Sequence, residues 1–232
     1  MGGATRPDHR EASKTSGVAS GLGFLHIPKT GGTAALKALR VDPVRQGNIV
    51  RWGHSDSLKT VKSARVFFFV RDPIERVVSA FYSRKRQGQP RYCSPHSPRE
   101  AQTFSRFSDF EEPVLGVAEN DTQAVAGYKS IGHLRPLSTW LISQEALRDP
   151  RVAFIGETQH LSRDWPRIKE ALELPLDVVL PTDPVLSHKA PSPPPPLSET
   201  AVNFLRTFLK SDFELQEECL RIRGERGWGV TC

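Results

Sequence analysis

The sequence predicts an α/β fold of three layers, in which a central, mostly parallel β-sheet is flanked by helices. Two observations support this prediction. Short apolar segments rich in β-forming residues alternate along the chain with helical patterns, and there is no internal sequence repeat. Strands that alternate with helices normally lie parallel, because each helix returns the chain to the edge of the sheet from which the strand started.

The first strand–loop–helix unit begins at Gly23. The segment GFLHI, residues 23–27, has the length and composition of a buried strand, and the glycine-containing segment PKTGGT follows it as a tight loop. Good helix formers then extend from Thr33 to Arg40. His26 falls inside the predicted strand, so we expect its ring to pack against neighbouring side chains.

The second unit is more sharply defined. ARVFFFV, residues 64–70, is an apolar run too short for a typical helix, and it predicts a buried strand. Asp72 can cap a following helix, Pro73 suits the first helical position and Glu75 completes a pattern like a capping box. We therefore predict a helix to about Arg86, with an apolar face formed by Ile74, Val77, Val78 and Phe81.

The rest of the chain alternates irregular and regular segments. The stretch from Gln87 to Glu112 is rich in Ser, Pro and Arg and predicts an irregular insertion over the sheet edge, on the acceptor side. A proline-rich loop is expected over 187–196. The further predicted elements are helices over 120–128 and 138–147, a strand over 152–156, a helix over 163–174 and a final helix over 198–219 capped by Ser198.

Length and composition indicate a single globular domain. Of 232 residues, 38% are hydrophobic and 25% are charged, and we predict a flexible tail over residues 1–20 followed by one domain over 21–232. The net charge of +6 favours anionic ligands without identifying them. Neither an apolar run of membrane-spanning length nor a signal-peptide core is present, so we expect a cytoplasmic protein. The three cysteines are too far apart to suggest a disulfide framework or a zinc site.

The loop between the first strand and helix has the features of an anion-binding site. The first amides of a helix have no partner within it, and the positive end of the helix dipole also favours an anion. Gly31 and Gly32 allow the backbone to close on a ligand, Thr30 and Thr33 add hydroxyl groups, and Lys29 adds a positive charge. The lysine precedes the glycines, whereas in the nucleotide triphosphatase loop GxxxxGK[ST] it follows them.

Two segments carry a resemblance to a known family. HIPKTGGT resembles the 5′-phosphosulfate-binding loop of the Golgi-type carbohydrate sulfotransferases and their bacterial relatives, and VRDPIERVVSAFY resembles their 3′-phosphate-binding motif. This resemblance implies a P-loop-like sulfotransferase fold and transfer of a sulfuryl group from 3′-phosphoadenosine 5′-phosphosulfate (PAPS), with 3′,5′-ADP as the product. It also implies that Lys29, Thr30, Gly31, Gly32 and Thr33 hold the phosphosulfate.

In the same resemblance, Arg71 and Ser79 hold the 3′-phosphate, and the acceptor is a hydroxyl of a carbohydrate or glycoconjugate. Related enzymes carry a basic histidine in a setting like RWGHSDSL, which implies that His54 is the catalytic base and that Lys29 assists catalysis. Lys189, in the loop before the prolines, is a further candidate for a cofactor contact, and Glu157 is a weaker candidate with no defined role. No pattern selects the other histidines, His133 among them.

Other functions remain open at this point. One is a nucleotide or small-molecule kinase that uses the same glycine loop with ATP and magnesium, although the order of lysine and glycines argues against it. Another is a non-catalytic module that binds PAPS or a sulfated glycan. No pattern of metal ligands is present and we expect neither a metal nor a nucleic-acid partner. The identity of the acceptor and the oligomeric state cannot be derived from these residues.

Overall fold

A computed structural model of the chain describes residues 19–39, 49–187 and 189–228. The predicted N-terminal tail, except for its last two residues, and the predicted helix end at Arg40 lie outside them. The described residues form a four-stranded parallel sheet with the strand order β2-β1-β3-β4. The strands are β1 (Ala19–Leu25), β2 (Ile49–Trp52), β3 (Ser63–Val70) and β4 (Val152–Glu157). The prediction of an α/β fold with a mainly parallel sheet is confirmed.

Both faces of the sheet are buried, which explains why β3 is an almost continuous apolar run. Its side chains alternate, so that Phe67 and Phe69 join one core cluster while Phe68 and Val70 join another on the opposite face. Helices α1 (Gly32–Leu39) and α7 (Leu161–Ala171) cover the first of these faces, whereas α6 (Ser138–Leu141) and α9 (Lys210–Glu225) cover the second. The result is the predicted arrangement of three layers.

Helix α2 (Pro73–Lys85) begins as its sequence predicts. Asp72 accepts a hydrogen bond from the amide of Glu75 at 2.9 Å, and Pro73 occupies the first turn. The inner side of α2 packs through Val77 and Phe81 against a third cluster of apolar residues. That cluster also contains residues from α4 (Glu111–Ala118), α5 (Thr122–Ser130) and α8 (Glu199–Phe208).

The segment 87–112 is not irregular throughout, which corrects the prediction for this insertion. Helix α3 (Pro98–Arg106) lies within it and starts with a full capping box between Ser97 and Glu100. Glu100 also forms an ion pair with Arg84 of α2 at 2.7 Å, so this helix is anchored to the preceding one. The capping sequence was visible, but the prolines and serines around it obscured the helical pattern.

Two further predicted helices differ from those observed. The final helix over 198–219 is divided into α8 and α9 around Leu209, although Ser198 caps α8 as predicted by accepting from the amide of Ala201. The break turns α9 so that Asp212, in its first turn, reaches the guanidinium of Arg76 in α2. The helix predicted over 138–147 ends at Leu141, because Ile142 adopts a φ of 70° that a continuing helix does not allow.

Among the described residues, no helix combines the length and the apolar composition needed to cross a membrane.

Candidate functional site

A large cleft opens at the carboxyl edge of the parallel sheet. Its volume is about 1520 Å³, and its lining includes Lys29, His54 and Arg71, which follow the ends of β1, β2 and β3 respectively. This edge is where ligands bind in open α/β sheets. Pockets for one small ligand usually measure roughly 300–1,000 Å³, so this cleft has room for a nucleotide and part of a second substrate.

The loop between β1 and α1 adopts a conformation that its sequence favours. Gly31 has a φ of 80° and Lys29 a φ of 68°, both in the left-handed region. The amide of Ala34 donates to the carbonyl of Gly31 at 3.1 Å, closing the first turn of α1. Four of the five residues predicted to bind an anion here line the cleft: Lys29, Gly31, Gly32 and Thr33.

Thr30 has a different orientation. Its side chain is buried, and its hydroxyl donates to the carbonyl of Ile27 at 3.0 Å, which braces the loop from within. Because the hydroxyl proton is used in this bond, a contact of Thr30 with an anion would have to come from the backbone amide.

Gly32 is required by close contact between the helix and the strand. A Cβ atom at this position would lie 2.3 Å from Cδ2 of His26 and 2.9 Å from Cζ of Phe24. Real Cβ contacts are not this short, so a side chain here would displace the helix start or the His26 ring. Glycine therefore sets the distance between the first amides of α1 and the end of β1.

Lys29 is half-buried and lies among other cations. Burial, followed by the charges of Arg86 and Arg71, lowers the pKa of its ammonium group from 10.5 to about 8. The group is still mainly charged at neutral pH, and the charges of the two arginines repel it. An anion bound beside it would relieve the repulsion from the two arginines and raise the pKa again.

Arg71 and Ser79 line the same cleft, as the sequence predicts. Arg71 directly follows β3, and its Nε donates to Glu75, one turn further along α2, at 3.1 Å. This bond uses one of the five guanidinium N–H groups and leaves the fork geometry suited to a phosphate. Ser79 lies on α2, so the end of β3 and the helix that follows it place the side chains of Arg71 and Ser79 in the same cleft.

His54 lies two residues beyond the last residue of β2 and is held from two sides. Its carbonyl accepts a hydrogen bond from Nε1 of Trp140 at 3.0 Å, and its Nδ1 lies 3.2 Å from Nε2 of His133. The remaining ring atom, Nε2, is shielded from solvent and has no hydrogen-bond partner within the described parts of the chain. The ring therefore has one nitrogen in contact with His133 and the other without a partner among the described residues.

The imidazole of His54 is neutral at physiological pH. Burial, then the charges of Arg51 and Lys29, lowers its pKa from 6.5 to about 4. A neutral imidazole has the free lone pair that a general base needs. The charges that lower its pKa are those that a bound anion would offset.

Two other histidines lie beside His54. The rings of His26 and His54 are 4.7 Å apart, and those of His54 and His133 are 4.9 Å apart and perpendicular. Burial is the main cause that lowers the pKa of His26 to about 2 and that of His133 to about 3. His26 packs as predicted, although it lies just beyond the end of β1 and lines the cleft.

Sequence reasoning did not select His133. It lies in a short 3₁₀ turn, Gly132–Leu134, 79 residues from His54 along the chain, and no local motif connects the two. Arg51 and Arg86, which also line the cleft, were missed for a similar reason: each resembles an ordinary surface arginine near the end of a strand or helix.

Lys189 and Glu157, the two secondary candidates, differ in position. Lys189 is exposed but lines the cleft, together with other residues from 180–187 and 189–197. Glu157 is buried at the end of β4, bonded to the side-chain amide of Gln159 and 3.8 Å from His160. It is not among the described residues that line the cleft.

Comparison with known proteins agrees with this geometry. No curated protein sequence gives a significant match to the chain. A family model described as the sulfotransferase family matches residues 20–215. This range contains β1 except for Ala19, the strands β2 to β4, and the loop of residues 28–33 that is predicted to bind an anion, here called the anion loop. The chain therefore belongs to the sulfotransferase family.

Proposed function

We propose that the protein transfers a sulfuryl group from PAPS to a hydroxyl of a carbohydrate or glycosylated acceptor. Membership of the sulfotransferase family supports sulfuryl transfer in general. The observation that carries the finer proposal is that one cleft brings together the anion loop after β1, the pair Arg71 and Ser79, and His54. A donor with phosphates at both ends of its ribose requires two separate anion sites. Deprotonation of the acceptor hydroxyl requires a neutral base.

The charge of the cleft fits such a donor. Besides Lys29, Arg71 and Lys189, its lining includes Arg51, Lys85, Arg86 and Arg91, whereas Glu75 is the one carboxylate residue among the described lining residues. A cleft lined by one sign of charge concentrates ligands of the opposite sign. PAPS carries several negative charges at the two ends of the nucleotide, and the cations come from several elements, among them β2, α2 and the loop after β1.

The chemistry follows from the positions of the side chains. His54 Nε2 accepts the proton of the acceptor hydroxyl while the hydroxyl oxygen bonds to sulfur and the bond from sulfur to the phosphate oxygen breaks. Lys29 and the first amides of α1 stabilise the charge on the departing phosphate. Arg71 and Ser79 hold the 3′-phosphate and set the position of the donor. Lys189, at the rim, contributes a further cation to the donor.

The assignment of the 3′-phosphate site is tested by calorimetry with 3′,5′-ADP and 5′-AMP. Losing a charge-assisted phosphate contact costs about 1.5–3 kcal/mol, so 3′,5′-ADP should bind about tenfold to a hundredfold more tightly. Arg71→Ala should remove this preference. Arg65→Ala is a matched control, since Arg65 lies on β3 but pairs with Glu173 outside the cleft. Equal affinity of the wild-type protein for the two nucleotides would refute the assignment.

Turnover is tested by incubating the protein with labelled PAPS and a panel of hydroxyl acceptors that includes neutral and acidic oligosaccharides, phenols and lipids. Sulfation of an oligosaccharide that persists in excess EDTA is the expected result. Phosphorylation that requires ATP and magnesium would instead support a kinase. Tight binding of 3′,5′-ADP without transfer to any acceptor would favour a non-catalytic binding module.

A further inference from the structure

We infer that His133 is a positioning residue for the reaction, and that it holds His54 in the tautomer that can act as a base. The inference rests on the proposed function of His54. It is carried by the 3.2 Å contact between His133 Nε2 and His54 Nδ1, which connects a residue predicted from sequence to one that no motif selected.

The contact allows two arrangements of protons. A neutral imidazole has one N–H and one lone pair, so in a hydrogen bond between two such rings one nitrogen donates and the other accepts. If Nδ1 of His54 donates to His133, the lone pair of His54 lies on Nε2. If His133 donates instead, Nε2 of His54 carries a proton and cannot accept another. The first arrangement is the one that permits catalysis, and it requires His133 to carry its own proton on Nδ1.

Charges near the pair favour the first arrangement. Arg51 and Lys29 both act on His54, and all three residues line the same cleft. A lone pair is stabilised by nearby positive charge, and an N–H group is not. Lys29 and Arg84 also act on His133, but there the carboxylate of Glu100 opposes them and stabilises positive charge on that ring.

Proton transfer is balanced within this arrangement. When the acceptor hydroxyl gives its proton to Nε2, His54 becomes an imidazolium and keeps the proton on Nδ1. That N–H still donates to the lone pair of His133, and the bond becomes charge-assisted and therefore stronger. The hydroxyl oxygen forms its bond to sulfur as the bond from sulfur to phosphate breaks, so no additional reactant is needed.

A buried ion pair holds the turn that contains His133. Arg76 is fully buried, and its guanidinium donates to the carbonyls of His133 at 3.1 Å and Arg135 at 2.8 Å. It also pairs at 3.0 Å with Asp212, whose second oxygen accepts from the amide of Leu137 at 2.8 Å. Burying an ion pair is costly unless its hydrogen-bonding groups are used, and here several of them hold the turn that carries His133.

Wild-type protein labelled with ¹⁵N on its histidines tests the tautomer directly by NMR. The expected spectrum shows the proton of His54 on Nδ1 and a free lone pair on Nε2. This measurement needs neither the acceptor nor a variant. A proton on Nε2 of His54 in the neutral state would overturn the inference.

Kinetics test whether the tautomer matters. His133→Leu should lower kcat by roughly ten- to a hundredfold on the acceptor found by the panel, without changing the KM for PAPS, because the donor site is untouched. His133→Gln offers a carbonyl oxygen that can accept from His54, so it should recover most of the loss and keep the Nδ1–H signal. His160→Leu, outside the cleft, is the matched control.

The outcomes separate this inference from the proposed function. If 3′,5′-ADP shows no preferential binding, the donor site itself is wrong. If it binds as expected but folded His133→Leu retains wild-type kcat, the proposed function stands and the role of His133 is refuted. Should His133→Leu fail to fold, the wild-type NMR spectrum and the His133→Gln variant still decide the question.

Discussion

The anion loop and the histidine pair lie in one cleft but are built in opposite ways. The loop comes from a single segment, residues 28–33, whose glycines and helix start produce the geometry locally. The pair His54 and His133 comes from segments 79 residues apart, and its geometry depends on Trp140, Arg76 and Asp212. The proposed donor-binding loop is thus encoded locally, whereas the position of the proposed base depends on the whole fold.

The largest expected effect is on chemistry alone. His54→Ala should lower kcat by about 10²–10⁴, the usual contribution of a positioned proton acceptor, while the affinity for 3′,5′-ADP stays nearly unchanged. Steady-state kinetics and calorimetry on the same preparation measure the two quantities. A melting temperature close to that of the wild type is needed as a control. If a folded His54→Ala protein keeps near-wild-type kcat, another residue is the base.

Lys29→Ala should behave differently, because the charge of Lys29 faces the phosphosulfate in both the ground state and the transition state. We expect the affinity for 3′,5′-ADP to fall by about tenfold to a hundredfold, and turnover to fall as well. The two variants therefore distinguish the histidine pair from the anion loop. His54→Ala should lower kcat alone, whereas Lys29→Ala should lower both kcat and the affinity for 3′,5′-ADP. If Lys29→Ala leaves nucleotide affinity unchanged, the anion loop does not hold the 5′ end of the donor.

A smaller effect is expected where the two regions touch. Gly32→Ala would place a Cβ atom 2.3 Å from the ring of His26, which itself lies against His54. Overpacking of this kind should lower the free energy of unfolding by about 1–3 kcal/mol, measured by urea denaturation. Gly224→Ala in α9 is the matched control, because outside its own helix backbone and chain neighbours no atom of the described residues lies within 4 Å of its Cβ position. This substitution should be neutral or slightly stabilising.

A further effect is expected from acid. His26, His54 and His133 have pKa values lowered from 6.5 to about 2, 4 and 3, so the unfolded chain binds protons that the folded chain does not. Their contribution to stability is complete above about pH 6.5 and is lost as the pH falls towards these lowered values. The slope should approach about 1.4 kcal/mol per pH unit for each histidine.

Urea denaturation at a series of pH values from about 7 to 5 measures this slope. His133→Gln should reduce it by the share of one histidine, whereas Lys29→Ala should leave most of it in place. A free energy of unfolding that does not change over this range would show that the three rings are not buried as neutral groups.

Several parts of the fold could be read from local sequence. The buried strand β3, the cap of α2 at Asp72 and the loop around Gly31 and Gly32 were predicted correctly, because each depends on residues within a few positions of one another. The candidate positions of Lys29, Arg71, Ser79 and His54 in one cleft follow from the same logic, since parallel strands bring their carboxyl ends to one edge.

The sequence by itself therefore determined the alternation of strands and helices, the glycine loop after β1 and the resemblance that points to sulfuryl transfer. Only the tertiary structure decided that His133 meets His54, that Thr30 turns its hydroxyl inward and that the last helix breaks at Leu209. The physical reason is distance along the chain. The pairing of Arg76 with Asp212 spans 136 residues, and no short-range preference records such a contact.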